Sequence, residues 1–359
     1  MTLYKPDELA QEVEDYAMSE VTDEDLELIR RPISVDRVLT TGCTQLDLAI
    51  CGGRKHGGGI PTGIMAEIFG PTGTGKTLLA VEIAITSQEL GGNVRFCDPE
   101  GRLDRSYSEQ VGLNIQEQFE YHRPDTVSEM FNNLFWPWKP PDPKKINVFG
   151  ADSLAALSTK MEMEDEDKRG QRRAKEFSEG LRKTCRKIAN EDVLMVCTNQ
   201  IRQGDMGYVT PGGMGIPFYA SLRIKLKYGK PMQIIKKKKL NLSDDPEADP
   251  KEVQKVLGVK TDFEIVKNSI HDPFEKGFFY IIFGYGVDDI RTNLQYMKEK
   301  KGESTYDGIK RRFQSLDEAS LFIENEGLEV ELRDRAVDMW YRIQREFLVK
   351  RKPKVRHLE

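Results

Sequence analysis

From about Arg37 onward, short apolar runs alternate with helical patterns. The runs Ile64–Phe69, Val94–Asp98, Ile146–Phe149 and Val193–Thr198 are continuous and separated by helical stretches such as Leu78–Leu90. That pattern predicts strands buried on both faces of a parallel sheet. Leu222–Tyr228, Phe263–Lys267 and Phe278–Phe283 follow closely on one another and predict antiparallel additions to it. Gln171–Asn190 carries a stripe of Ala174, Phe177, Leu181, Cys185 and Ile188, which predicts one core-facing side of a helix. Its other faces are basic. Beyond Gly286 the strand signal stops, and Ser315–Asn325 and Glu331–Phe347 read as helices. Residues 1–30 hold ten carboxylates, with Leu9, Val13 and Ala17 spaced four apart, before Arg31-Pro32 breaks the pattern. The chain thus reads as an α/β protein with an N-terminal helical arm (1–36), a large core (37–290) and a small α-rich C-terminal domain with a basic tail (291–359). Trp136–Pro143, rich in proline, and Lys236–Lys239 with the acidic stretch Asn241–Pro250 read as solvated connections.

The chemistry lies where the first strong strand ends. Gly70-Pro71-Thr72-Gly73-Thr74-Gly75-Lys76-Thr77 matches G-x-x-x-x-G-K-[ST] between a strand and a helix, the context that makes a phosphate-binding loop. Its glycines let successive N–H groups and a helix N-terminus face an anion. Lys76 is placed to reach the β- and γ-phosphates and the Thr77 hydroxyl to hold Mg²⁺. Asp152 ends the run beginning at Ile146, as a metal-shell acid or as a helix cap; Gly150 interrupts that run. Glu100, just beyond Val94–Asp98, is a general base or a surface-loop acid. Asp104 and Tyr107 on the same stretch are either base contacts or ordinary helix residues.

Composition narrows the class. With 31% charged residues and no apolar run near the ~18 residues of a membrane span, the chain reads as cytoplasmic, with no membrane partner. Five scattered cysteines and four histidines point to neither a zinc site nor a disulfide framework. The net charge of −5 argues weakly against nucleic acid, but a local binding face overrides a whole-chain balance.

Three further blocks stand in fixed order after the phosphate loop: Phe96–Asp104; Thr198-Asn199-Gln200-Ile201-Arg202 through Gly212-Gly213 to Pro217–Ser221; and Val266-Lys267-Asn268. Together they resemble the RecA family of DNA strand-exchange recombinases over residues 40–290. The resemblance implies a RecA-like core that binds ATP and Mg²⁺, self-associates into a helical filament on single-stranded DNA, and pairs it with homologous duplex in recombination and repair. It implies that Lys76 and Thr77 hold phosphates and metal, Glu100 activates water, Asp152 supports the metal, and Asp104 and Tyr107 contact adenine. Gln200 would sense the γ-phosphate, and Lys267 would reach across a subunit interface. Lys175, Ser178 and Arg182 fall at DNA-backbone positions, as do Arg202, Gly212 and Gly213 in a glycine-rich second loop; Met161–Gly170 would form the first loop. The chain departs from the family at Ser269, where a second basic residue is expected, and at Pro217, where familiar bacterial members carry lysine. A scaffold that coats DNA without exchanging strands, or a ring helicase, are the competing readings.

Overall fold

The computed structural model describes residues 33–159, 171–204, 207–209, 215–241, 249–349 and 351. Two compact units divide at Thr292/Asn293. In the larger, the strands are β1 (Val38–Leu39), β2 (Ile60–Pro61), β3 (Met65–Gly70), β4 (Val94–Cys97), β5 (Phe119–His122), β6 (Val148–Ala151), β7 (Leu194–Gln200), β8 (Arg202–Gly204), β9 (Gly207–Val209), β10 (Leu222–Leu240), β11 (Lys251–Asn268), β12 (Lys276–Ile282) and β13 (Gly286–Asp288). Nine of them form one sheet in the order β13-β12-β11-β10-β3-β7-β6-β4-β5. From β10 to β5 every pairing is parallel; β10–β11, β11–β12 and β12–β13 are antiparallel. The mostly parallel sheet agrees with the hydrophobic pattern. The expectation for Leu222–Tyr228 needs correction: on one side this strand continues the parallel set beside β3, and only its other edge is antiparallel.

The continuous apolar runs serve two cores, because neighbouring side chains on a strand point to opposite faces. On β7, Leu194 and Val196 enter one cluster with Ala66, Ile68 and Phe96. Met195 and Cys197 enter the other with Met65, Phe149 and Phe177. Phe177, Leu181 and Ile188 are buried as the stripe on Gln171–Glu191 predicts. Gly150 breaks the apolar run of β6 for a packing reason: a Cβ there would lie 2.6 Å from the Phe96 ring.

Two polar-looking regions differ from their sequence reading. Trp136–Trp138 is not a solvated connection: Trp138 is 2% exposed, and Trp136 stacks on Phe131 at 6.0 Å. The neighbouring prolines masked two aromatic anchors. Lys236–Lys239 is solvated but is strand rather than loop, extending β10 opposite Glu252–Lys255 of β11. With both faces in water, that ribbon has no apolar alternation to betray it. Pro231 sits within β10 where the register shifts between Tyr228 and Gln233, an irregularity that tolerates the missing donor.

Glu82 lies half-buried on the helix Lys76–Glu89. It accepts a 2.8 Å hydrogen bond from the Val287 N–H, and burial pushes its pKa from 4.5 to about 7. Below pH 4.5 the folded and unfolded chains both hold this proton. As pH rises towards 7 the unfolded chain releases it first, so Glu82 costs stability progressively across pH 4.5–7. Glu82→Gln keeps an acceptor for Val287 and carries no charge. Its stability relative to wild type is therefore expected to improve by on the order of 2 kcal/mol between pH 5 and pH 8. Thermal melts at the two pH values check this; an identical difference at both would show that Glu82 does not hold its proton.

In the smaller unit, the Ser315 hydroxyl caps the helix Leu316–Asn325, and Glu329–Glu346 follows. Ala319, Ile323, Leu332, Ala336, Val337 and Trp340 are buried there. Among the described residues no helix is long and apolar enough to cross a membrane.

Candidate nucleotide-binding site

Parallel strands ending side by side leave a crevice at their carboxyl ends. Here β3, β4, β6 and β7 deliver the phosphate loop, Glu100, Asp152 and Gln200 to it. The loop is tight for local reasons. Gly75 has φ 85°, and a Cβ on it would meet the Ile281 side chain at 2.2 Å. The Thr74 hydroxyl donates to the Pro71 carbonyl at 2.8 Å, and the Tyr228 hydroxyl donates to that of Thr72 at 2.6 Å. The Lys76 ammonium donates to the Gly70 and Pro71 carbonyls at 3.0 and 2.8 Å. It is therefore folded over its own loop, where an incoming phosphate offers stronger acceptors. Burial lowers its pKa, while the charges of Asp152 and Glu100 oppose the shift.

Asp152 is a site acid rather than a simple cap. It accepts hydrogen bonds from Thr198 at the end of β7 and from Thr77. Burial raises its pKa; those two bonds oppose the rise, and the charges of Asp98 and Glu100 add to it. Asp98, Glu100, Asp104 and Asp152 line the pocket with Lys76 and Arg102, so carboxylates outnumber cations there. Thr77 and Asp152, in mutual contact beside the phosphate loop, fit a Mg²⁺ ion. Among the described residues no group of three His, Cys, Asp or Glu side chains is arranged to hold a metal alone. Mg²⁺ needs no such group, because it takes one or two protein oxygens together with phosphate oxygens.

The turn after β4 sets Glu100. Asp98, only 2% exposed, accepts from the Leu103 N–H and the Tyr121 hydroxyl, both at 2.8 Å. The Gln200 amide nitrogen then donates to Glu100 Oε1 at 3.2 Å, joining the ends of β4 and β7. On the other side, Asp104 caps the helix Arg105–Gln110 by accepting from the Tyr107 N–H at 3.0 Å. Tyr107 lines the pocket together with the apolar residues Val259, Ile281 and Phe283. The pocket encloses about 400 Å³ and is lined by both charged and apolar side chains. That combination suits a nucleotide, whose phosphates and base differ in the same way.

Lys76, Thr77, Glu100, Asp104, Tyr107, Asp152 and Gln200 thus meet in one pocket. Lys267 does not line it; its ammonium donates to the Pro217 and Phe218 carbonyls at 3.0 and 2.7 Å. Arg182 is exposed on the helix Gln171–Glu191. Lys175 and Ser178 lie on that helix and Arg202 opens β8, but their side chains lie outside the described structure. Gly212, Gly213 and Met161–Gly170 lie outside the described residues. Sequence reasoning did not single out Thr198, Asp98, Arg102 or the pocket's apolar residues. For Thr198 there was a signal, a polar Thr-Asn-Gln run ending an otherwise apolar strand.

Comparison with known proteins points the same way. A family model, the RecA N-terminal domain, matches residues 27–288. Protein RecA of Thermus aquaticus is 31% identical over 262 residues, covering 70% of this chain and 69% of that protein. Protein RecA of Rickettsia prowazekii is 30% identical over 302 residues, covering 79% and 80%. Protein RecA of Delftia acidovorans is 29% identical over 320 residues, covering 84% and 78%. With the phosphate loop, the sheet and the match all spanning the same stretch, the chain belongs to the RecA family.

Proposed function

We propose that the chain is a DNA-dependent ATPase that polymerises on single-stranded DNA and catalyses homologous pairing and strand exchange. The carrying observation is the bond from Gln200 to Glu100 across the ends of β7 and β4, beside Lys76. It links a candidate base in the pocket to the residue that opens the segment leading into Arg202, Gly212 and Gly213. A terminal phosphate that competes for the Gln200 amide would alter that segment, and hydrolysis would restore it.

In this reading Lys76 moves from the Gly70 and Pro71 carbonyls onto the phosphates. Glu100 accepts the proton of the attacking water. Mg²⁺, held by Thr77 and Asp152, supplies charge neutralisation at the phosphates. Asp104 and Tyr107 hold the adenine. Lys175, Ser178, Arg182, Arg202 and the backbone of Gly212 and Gly213 contact DNA phosphates, each neutralised phosphate adding about −0.7 to the salt slope. Lys267, which bonds the Pro217 and Phe218 carbonyls and does not line its own pocket, serves the nucleotide of a neighbouring subunit in a filament.

ATP hydrolysis with and without single-stranded DNA, followed by strand exchange on the same preparation, tests the whole reading. DNA-stimulated turnover with exchanged products is expected. ATP-dependent DNA binding without exchange would favour a coating scaffold, for which Ser269 in place of a second basic residue would be the reason.

A further inference from the structure

Both oxygens of Glu100 are engaged. Oε1 accepts from Gln200 at 3.2 Å, and Oε2 pairs with Arg102 Nη1 at 2.9 Å. The two arms of the ion pair differ sharply: the Glu100 side chain is 17% exposed and that of Arg102 is 78% exposed. The backbone between them is fixed, since the Gly101 N–H bonds the Asp98 carbonyl at 3.1 Å and the Leu103 N–H bonds the Asp98 carboxylate at 2.8 Å. The arginine side chain, by contrast, is held by its exposed ion pair to Glu100. It lines both the pocket over the phosphate loop and a smaller adjoining cleft formed with Glu100, Gln200, Ala155 and Ala156. Its guanidinium can therefore swing between the carboxylate and the pocket with the turn unchanged.

The chemistry decides which way it goes. An ion pair with one arm so exposed is weak, because water screens it and the long side chain loses freedom in making it. A triphosphate brought onto Lys76 presents a denser negative charge with acceptor geometry that matches a guanidinium. We propose that Arg102 leaves Glu100 for the terminal phosphate of bound ATP, acting within its own subunit. This inference rests on the ATPase reading and goes beyond it. The move does two things. It frees Oε2 of Glu100 to receive a proton, and it places a cation where charge gathers in the transition state. As the water oxygen bonds to the γ-phosphorus, its proton passes to Glu100. The bond from that phosphorus to the β–γ bridging oxygen breaks, and its electron pair stays on ADP. Arg102 neither gains nor loses a proton.

The test uses the full chain as wild type and as Arg102→Ala, Arg102→Lys, Glu100→Gln and the Glu100→Gln/Arg102→Ala double variant. Affinities for fluorescent ADP and for a slowly hydrolysed ATP analogue are measured, then steady-state turnover on saturating single-stranded DNA. Arg102→Ala is expected to bind ADP within about twofold of wild type, to bind the ATP analogue about 10-fold more weakly, and to lose about 10- to 100-fold in kcat. Arg102→Lys should recover part of that loss. Glu100→Gln releases the guanidinium, so it should tighten the ATP analogue several-fold when Arg102 is present and not in the double variant. Unchanged or increased kcat in Arg102→Ala would overturn the proposal, as would equal losses for ADP and the analogue. A wild-type protein that binds neither nucleotide would overturn the nucleotide reading and this proposal with it. Normal wild-type binding and turnover with an inert Arg102 would overturn this proposal alone.

Discussion

Glu100→Gln is expected to lower ATP turnover by about 10²- to 10⁴-fold, the usual contribution of a positioned general base. Binding should survive. The substitution keeps the size of the side chain and an oxygen that can accept from the Gln200 amide at the 3.2 Å contact. What is lost is the capacity to take a proton from water. Nucleotide-dependent binding to single-stranded DNA should therefore persist and last longer, because the ATP-bound state is no longer discharged. Turnover assays paired with fluorescence anisotropy on a labelled oligonucleotide separate the two properties. Turnover within tenfold of wild type would move the base elsewhere. A parallel loss of DNA binding would mean that Glu100 is structural. Asp98 is a poor substitute for it, since its carboxylate already holds the Leu103 N–H and the Tyr121 hydroxyl and sits 2% exposed.

The parts of this site that were legible in the sequence are those in which backbone form and chemistry coincide. A loop needing positive φ at Gly75, opening a helix after a buried strand, leaves a readable signature. So does a strand that must be apolar on both faces, such as Leu194–Gln200. What stayed hidden depends on contacts between distant segments. β5 reads Phe-Glu-Tyr-His, an alternation only four residues long and half-buried throughout, too short to mark a strand by itself; its place beside β4 is fixed by pairing. The outer part of the β10–β11 ribbon is stabilised by cross-strand bonds such as Lys237–Glu252 at 2.9 Å and carries no core pattern. Asp152 shows the same limit inside the site. Its type and position at a strand end left a cap open beside the favoured metal-shell acid, and its bonds from Thr198 and Thr77 come from segments that no local pattern ties to it.

Arg223→Ala is expected to have the largest effect on stability, although Arg223 touches no nucleotide-pocket residue named above. Glu67, in the centre of β3, is fully buried. Its Oε2 accepts from Arg223 Nε at 2.6 Å and its Oε1 from the Asn199 amide at 3.0 Å. The Arg223 guanidinium also lies 4.6 Å from the centre of the Phe69 ring. Removing it leaves a carboxylate in the sheet without its cation, a change that costs about 3–5 kcal/mol in comparable sites. For a domain of this size that corresponds to a drop in melting temperature of roughly 6–20 °C. The charge, rather than lost packing, should dominate, so Glu67→Gln in the Arg223→Ala background should recover much of the loss; no recovery would assign the effect to the Phe69 contact. The network also reaches function. Asn199, held by Glu67, accepts from the Gln200 N–H at 3.0 Å, and Gln200 in turn meets Glu100. An ion pair between β3 and β10, extended by the Asn199 amide of β7, thus holds the residue that joins the nucleotide pocket to the segment leading away from it. DNA-stimulated turnover measured well below the lowered melting temperature should therefore fall along with stability, and should return with the double variant only as far as the Asn199 contact is restored.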